Sequence, residues 1–161
     1  MSRLDLFIDR MVSQRACLDH AAAATAHLSG PVFELGLGNG RTYHHMCEIV
    51  PPKDIWVFER AIASHPDSTP PEEQVFLGDV FETLPQAFDR WGAGVRLAHA
   101  DLGGHNAAKN DDFARRISPL IEPLMAPGGL MVSSDKMYFD TLVEMPLPLG
   151  AVPQRCFIYR A

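Results

Sequence analysis

Apolar residues fall at Leu4, Phe7, Ile8, Met11, Val12 and Leu18, close to the i, i+3, i+4, i+7 spacing of an amphipathic helix. That spacing predicts a helix over residues 3 to 28, stopped by Ser29-Gly30-Pro31. From Pro31 onward the pattern alternates between short apolar runs and longer amphipathic ones. Strands are expected at 31–35, 55–58, 75–77, 95–100 and 129–134, with helices near 40–50, 82–91 and 111–125. Such alternation predicts a parallel sheet wrapped by helices. The runs at 55–58, 95–100 and 130–132 carry few polar residues, as strands covered on both faces should. After residue 135 the rhythm changes. The segments 142–145 and 156–160 are separated by Pro146, Pro148, Gly150 and Pro153, which predicts a closing pair containing at least one antiparallel strand. Residues 63–73, with three prolines, are the expected mobile loop.

Length and composition place these elements in one domain, 1–161. It comprises an N-terminal helix (1–29), a core (30–135) and a C-terminal strand pair (136–161). A chain of 161 residues with 47% hydrophobic content can bury about 70% of its unfolded surface without a second domain. The formal net charge is −6 and the basic residues are scattered, which argues against nucleic acid as a partner. Asp5 and Asp9 interrupt the first apolar run, so it reads as neither a signal core nor a membrane span. A cytoplasmic protein with no membrane association is expected. Cys17, Cys47 and Cys156 are odd in number and far apart, in keeping with reduced thiols packed in a core.

The strongest chemical signal is at Val32 to Thr42, where a short apolar strand runs into Gly36, Gly38 and Gly40. Glycines at alternate positions expose main-chain N–H groups to a closely bound ligand. Their G-x-G-x-G spacing differs from the G-x-G-x-x-G of a dinucleotide pyrophosphate turn, so a nicotinamide dehydrogenase is disfavoured. Ligands of open parallel sheets lie beyond the carboxyl ends of the strands, and four of these ends are acidic: Glu34, Glu59, Gly78-Asp79 and Asp101. The fifth strand has Pro127-Gly128-Gly129 before it and Ser133-Ser134-Asp135 after it.

In these residues, from about Gly30 to Asp135, the chain resembles the class I S-adenosylmethionine-dependent methyltransferases. The Glu-Leu-Gly-Leu-Gly-Asn-Gly loop resembles that family's first motif, Phe58-Glu59 its second, Gly78-Asp79 its third, and Pro127-Gly128-Gly129 the approach to its fifth strand. The resemblance implies a Rossmann-like α/β sandwich with a mostly parallel seven-stranded sheet, and S-adenosyl-L-methionine as cofactor. Glu59 follows Gly40 by about 20 residues, the spacing at which a carboxylate can take both ribose hydroxyls. By resemblance, Asp79 accepts from the adenine amino group, Val80 N–H faces the ring, and Gly36 and Gly38 let the backbone approach the methionine part. Glu34 helps place the cationic end, and Leu37, Asn39, Gly40, Arg60 and Asp101 complete the cofactor set.

Asp101-Leu-Gly-Gly-His105-Asn106 follows the fourth strand, where this family places its methyl acceptor. It resembles the Asp-Gly-x-His run of small-molecule O-methyltransferases, with Asp112 and Asp135 at matching positions. His105 is displaced by one residue, and Lys136 follows Asp135. Asp101 and Asp135 are the candidate ligands of Mg²⁺, a site that a neighbouring ammonium would weaken. Without metal, His105 is the candidate base, beside Asp101. Tyr43 or His44 would overlook the acceptor pocket, and Arg10, Gln14 and Arg15 form a polar stripe able to cross its mouth. His99 is expected as a hydrogen-bonded core residue. The expected activity is methyl transfer to a small molecule, to oxygen before nitrogen. The rival is a silent cofactor-binding module acting as a sensor or partner subunit. A core this small also leaves room for a second copy of the chain to cover the pocket.

Overall fold

The computed structural model describes residues 1–104 and 106–161. Eleven helices and strands follow in chain order: α1 (Arg3–Thr25), β1 (Val32–Leu35), α2 (Arg41–Ile49), β2 (Ile55–Glu59), β3 (Val75–Leu77), α3 (Val80–Trp91), β4 (Val95–Ala100), α4 (Ala107–Ile121), β5 (Met125–Ser133), β6 (Val143–Glu144) and β7 (Phe157–Arg160). They build a seven-stranded sheet in the order β3-β2-β1-β4-β5-β7-β6. Strands β1 to β5 pair in parallel, and β7 is antiparallel to both β5 and β6. This is the Rossmann-like methyltransferase architecture expected above, with the chain reversing direction of travel across the sheet between β1 and β4.

Alternation along the strands sorts side chains between the two faces. Phe33, Leu35, Ala98 and Ala100 pack with Leu84, Ile117 and Ile121 beneath α3 and α4. Val32, Leu97, Leu130 and Ile158 pack with Cys17, Leu18 and Met46 beneath α1 and α2. Glu34 and His99 alternate onto this second face and are direct register partners on β1 and β4.

Several boundaries differ from the sequence pattern, each for a local reason. α1 starts at a capping box in which Ser2 Oγ accepts from Asp5 N (3.0 Å) and Ser2 N donates to Asp5 Oδ2 (2.7 Å). Its buried side meets the expected apolar stripe only at Leu18. Leu4, Phe7, Ile8 and Val12 are exposed, and the helix buries Ser13, Gln14, Cys17, Leu18, Ala21, Ala22 and Thr25 instead. The first three turns face the open cavity beside the glycine loop, where Arg10 meets Asp101 and Arg41 lies over Phe7, so hydrophobic spacing there does not report burial. α3 begins at Val80 because Asp79 caps it, and α4 begins at Ala107 because the Asn106 side chain accepts from Lys109 N. Pro127-Gly128-Gly129 lies inside β5, at a register shift against β4, rather than ahead of it. The Pro-rich segment 63–73 is organised: it forms 3₁₀ turns at Pro66–Ser68 and Glu72–Gln74, and His65 N donates to Asn39 O (3.2 Å). No helix among the described residues is long and apolar enough to cross a membrane.

Candidate active site

The glycine loop leaves β1 at the point where the sheet order reverses. Gly36 has φ +86°, and its N–H is fixed to Phe58 O (2.9 Å). A Cβ there would meet Asp101 O at 2.7 Å, so β4 closes one side of the turn. Gly38 also has positive φ (+51°), but a Cβ there would meet nothing within 4 Å. Its bare backbone borders open space, the cradle that a close ligand requires.

Glu59, at the end of β2, reaches over this loop. Its Oε2 accepts from Leu37 N (2.8 Å) and Gly38 N (3.1 Å), and Oε1 accepts from Arg60 N (2.8 Å). Burial pushes the carboxyl up, but the N–H groups of Gly38, Leu37, Arg60 and Ala61 outweigh it and hold Glu59 below the ordinary carboxylate range. Gly36, Gly38, Glu59, Arg60, Asp79, Val80 and Asp101 all line a cleft of about 530 Å³. Asp79 caps α3 through Phe81 N (2.9 Å) from within that wall, so capping and cleft lining coincide. Leu37 is buried beneath the loop and Asn39 is exposed. Phe81 and Phe113 meet edge to face (5.3 Å between centroids) and give the cleft an apolar wall. Neither carries a sequence signal of its own, because one phenylalanine on a helix reads as core.

Glu34 does not reach the cleft. It is fully buried, accepts a short hydrogen bond from Thr42 Oγ1, and lies 2.7 Å from His99 Nδ1. Its visible work is to tie the first turn of α2 to β1 and to neutralise a buried imidazole. Burial alone would push His99 down. The Glu34 carboxylate, helped by Asp101, reverses this and holds it above the usual histidine range.

Asp101 is engaged from α1. Arg10 Nη2 donates to both of its oxygens (2.5 and 2.6 Å), and Gln14 Nε2 donates to Oδ2 (3.1 Å) and to Ser134 Oγ (2.7 Å). Burial raises the Asp101 carboxyl, while Arg10, His99 and Gln14 together bring it below its ordinary value. A carboxylate so held is a poor proton acceptor, which counts against Asp101 as a base. The same contacts place a guanidinium where a metal ion would need open oxygens, so the donor set does not suit Mg²⁺. Asp135, the other candidate ligand, accepts from Asn110 Nδ2 (3.3 Å). Its carboxyl is raised by burial, which the Asn110 bond opposes and Asp101 reinforces. Asn110 also bonds Gly104 N (2.9 Å) and Gly104 O (3.1 Å), stapling the loop after β4 to Asp135. No group of three or more His, Cys, Asp or Glu side chains able to hold a metal occurs among the described residues.

Tyr43 is packed in the core, His44 is exposed, and Asp112 sits on the surface facing Arg116 (3.9 Å). His105 lies outside the described residues. Beside the glycine loop the wall is formed by α1 and by Arg41 and Thr42, and not by Tyr43 or His44. Phe7, Arg10, Met11 and Gln14 line a cavity of about 120 Å³ that shares Gly36, Gly38 and Asp101 with the main cleft. It continues into a groove of about 290 Å³ between α1 and α2, flanked by Arg15, Arg41 and His45.

A glycine loop at the β1/β4 reversal, with acidic residues at neighbouring strand ends and the sheet order above, defines a Rossmann-like protein of the methyltransferase class. The chain belongs to the S-adenosyl-L-methionine methyltransferase family, which matches residues 1–161, and is thus an S-adenosylmethionine-dependent methyltransferase. It is similar to the crystal structure of an S-adenosyl-L-methionine methyl transferase from Silicibacter pomeroyi DSS-3. The two share 72% identity and a TM-score of 0.97 over 99% of this chain and 98% of that one. More distant matches are the antibiotic-resistance methyltransferase Kmr and the 1,6-didemethyltoxoflavin-N1-methyltransferase of Burkholderia thailandensis. The first has 15% identity and TM-score 0.43 over 91% of this chain and 92% of that one; the second has 16% and 0.38 over 91% and 78%. At those scores neither bears on the site. No curated protein matches the chain.

Proposed function

We propose that the chain, acting as one cytoplasmic catalytic domain, methylates an oxygen of a small-molecule acceptor. The observation that carries this reading is the narrow cavity at the glycine loop. It adjoins the cofactor cleft, is lined by α1 and continues into the groove between α1 and α2, a space sized for a small molecule. The cleft fits the cofactor by its bare backbone at Gly38 and the ionised Glu59 beside it. S-adenosylmethionine, when bound, supplies an electrophilic methyl group on a positively charged sulfur.

Glu59, which Arg60 N–H keeps turned toward the loop, would accept from the ribose hydroxyls. Asp79 and Val80 would hold the adenine, and Phe81 and Phe113 would shield it from water. The loop from Gly36 through Leu37, Gly38, Asn39 and Gly40 presents main-chain N–H groups. Glu34 acts on the loop from below, by fixing Thr42 and the start of α2. His105 is the base that takes the acceptor's proton, and alignment of the acceptor by α1 supplies most of the rate. Free thiols at Cys17, Cys47 and Cys156 suit a reducing cytoplasm.

Isothermal titration with S-adenosylhomocysteine, followed by a methylation assay across small phenols, alcohols and carboxylates, tests the proposal. Micromolar binding that is lost in Glu59→Ala, with product from an oxygen acceptor, is the expected result. Tight cofactor binding with no turnover would favour a silent sensor or partner subunit, a reading supported by the engagement of Asp101 with Arg10. Product only from nitrogen acceptors would reassign the acceptor atom.

A further inference from the structure

Arg10 Nε, Gln14 Oε1 and His99 Nε2 are buried and have no hydrogen-bond partner among the described residues. The first two lie about one turn apart on α1, on side chains whose other ends grip Asp101. Gln14 is 1% exposed, and its orientation is fixed. The atom 3.1 Å from an Asp101 oxygen must be the amide nitrogen, because a carboxylate only accepts. Gln14 Oε1 is therefore an acceptor turned toward no donor, and Arg10 Nε a donor turned toward no acceptor. Leaving such atoms unsatisfied in a folded interior is costly. Here they adjoin the small cavity that shares Gly36, Gly38 and Asp101 with the cofactor cleft.

We propose that Arg10, Gln14 and Asp101 form the receptor for the α-amino-acid end of the methyl donor, and that the Arg10–Asp101 ion pair is a resting arrangement which this zwitterion divides. The inference rests on the cofactor reading above. Asp101 exchanges a guanidinium for an ammonium, and Arg10 exchanges Asp101 for a carboxylate, using the orphaned Nε as part of its planar fork. Gln14 Oε1 gains its missing donor from the same ammonium. Every charge keeps an opposite partner through the exchange, so no net charge is buried. A singly charged ligand lacks this symmetry: a lone cation strands Arg10, and a lone anion must enter beside Asp101. The two halves of the receptor differ in freedom as the exchange requires. The Arg10 side chain is 41% exposed and has solvent to turn into, whereas Gln14 is held in the interior by Ser134.

The test compares three adenosine thioethers by titration calorimetry. S-adenosylhomocysteine carries both charges, the decarboxylated 3-aminopropyl thioether carries only the ammonium, and 5′-methylthioadenosine carries neither. In Arg10→Met, S-adenosylhomocysteine should bind at least about tenfold more weakly, the loss of one charge-assisted contact. 5′-methylthioadenosine should bind as it does to the unaltered chain, which also shows that the cleft is folded, and the 3-aminopropyl thioether should lose no affinity, because Asp101 no longer has to give up Arg10. Unchanged S-adenosylhomocysteine affinity in the variant, or equal losses for all three compounds, would overturn the proposal while leaving the cofactor reading in place. If the unaltered chain binds none of the three, the cofactor reading fails and the proposal with it.

Discussion

His99 Nδ1 and Glu34 Oε2 lie 2.7 Å apart across the β1/β4 register, and solvent reaches neither side chain. An ion pair desolvated to this degree contributes little net stability when whole, but removing one member leaves a buried charge without its partner. Glu34→Gln is therefore expected to destabilise the fold by about 3–5 kcal/mol, read as a lowered urea midpoint with unchanged slope. The double variant Glu34→Met/His99→Leu should recover a large part of that loss. Additive losses in the double-mutant cycle would show that the two residues act independently.

The same pair sets a pH dependence. His99 is raised above its unfolded value of 6.5, so its contribution is complete below that value and is lost as pH rises through the higher folded value. Urea midpoints taken from pH 6 to pH 9 should fall for the native chain by more than for Glu34→Gln, in which the cause of the raised pKa is absent. Parallel profiles for the two proteins would place the titrating group elsewhere.

Gly36 and Gly38 separate folding from binding. Gly36→Ala adds a Cβ 2.7 Å from Asp101 O at φ +86°, a backbone collision that is expected to reduce soluble yield and melting temperature sharply. Gly38→Ala adds a Cβ into open space at φ +51°, where the cost is about 1–2 kcal/mol of left-handed strain. This variant should fold and yet bind S-adenosylhomocysteine weakly, since the new methyl group stands in the cradle. Full affinity in Gly38→Ala would mean that no ligand approaches that backbone.

Glu59 fastens the loop as well as facing the cleft. With Glu59→Gln, the amides of Leu37 and Gly38 exchange a charged acceptor for a neutral one, a bond of roughly half the strength. Hydrogen exchange at residues 36–40 should quicken in the absence of ligand, with protection in the strands unchanged. Unaltered exchange in the loop would confine Glu59 to ligand contact.

Much of the fold is written in periodicity. The strands at Val75–Leu77 and Val95–Ala100 lie where their apolar runs place them, although only the second is buried along its length and the first is an edge strand with Leu77 exposed. The start of α4 is less legible, since its cap, Asn106, sits among other polar loop residues. The buried face of α1 was legible only at Leu18. Amphipathic spacing describes a helix packed along its whole length, and the first turns of α1 border an open cavity instead. In the site, the strand-end acids were evident from position, but their partners were not. Asp101 meets Arg10 across 91 residues of sequence, and Glu34 meets His99 across 65. The chain alone gives no sign that these acids are neutralised by local partners. Asn110, which secures the loop after β4, is likewise one polar residue among several on its helix.

The projecting turns of α1 have an evolutionary side. No residue from Leu4 to Val12 is buried, although Phe7, Arg10 and Met11 form a wall of the inner cavity. Substitutions at Phe7 or Met11 therefore reshape that wall while removing little from the packed interior. Drift along a single short segment can thus change the shape of the inner cavity without disturbing the sheet that carries it. A lineage built this way can diversify its chemistry at low structural risk, with its variation concentrated in one exposed stretch of helix.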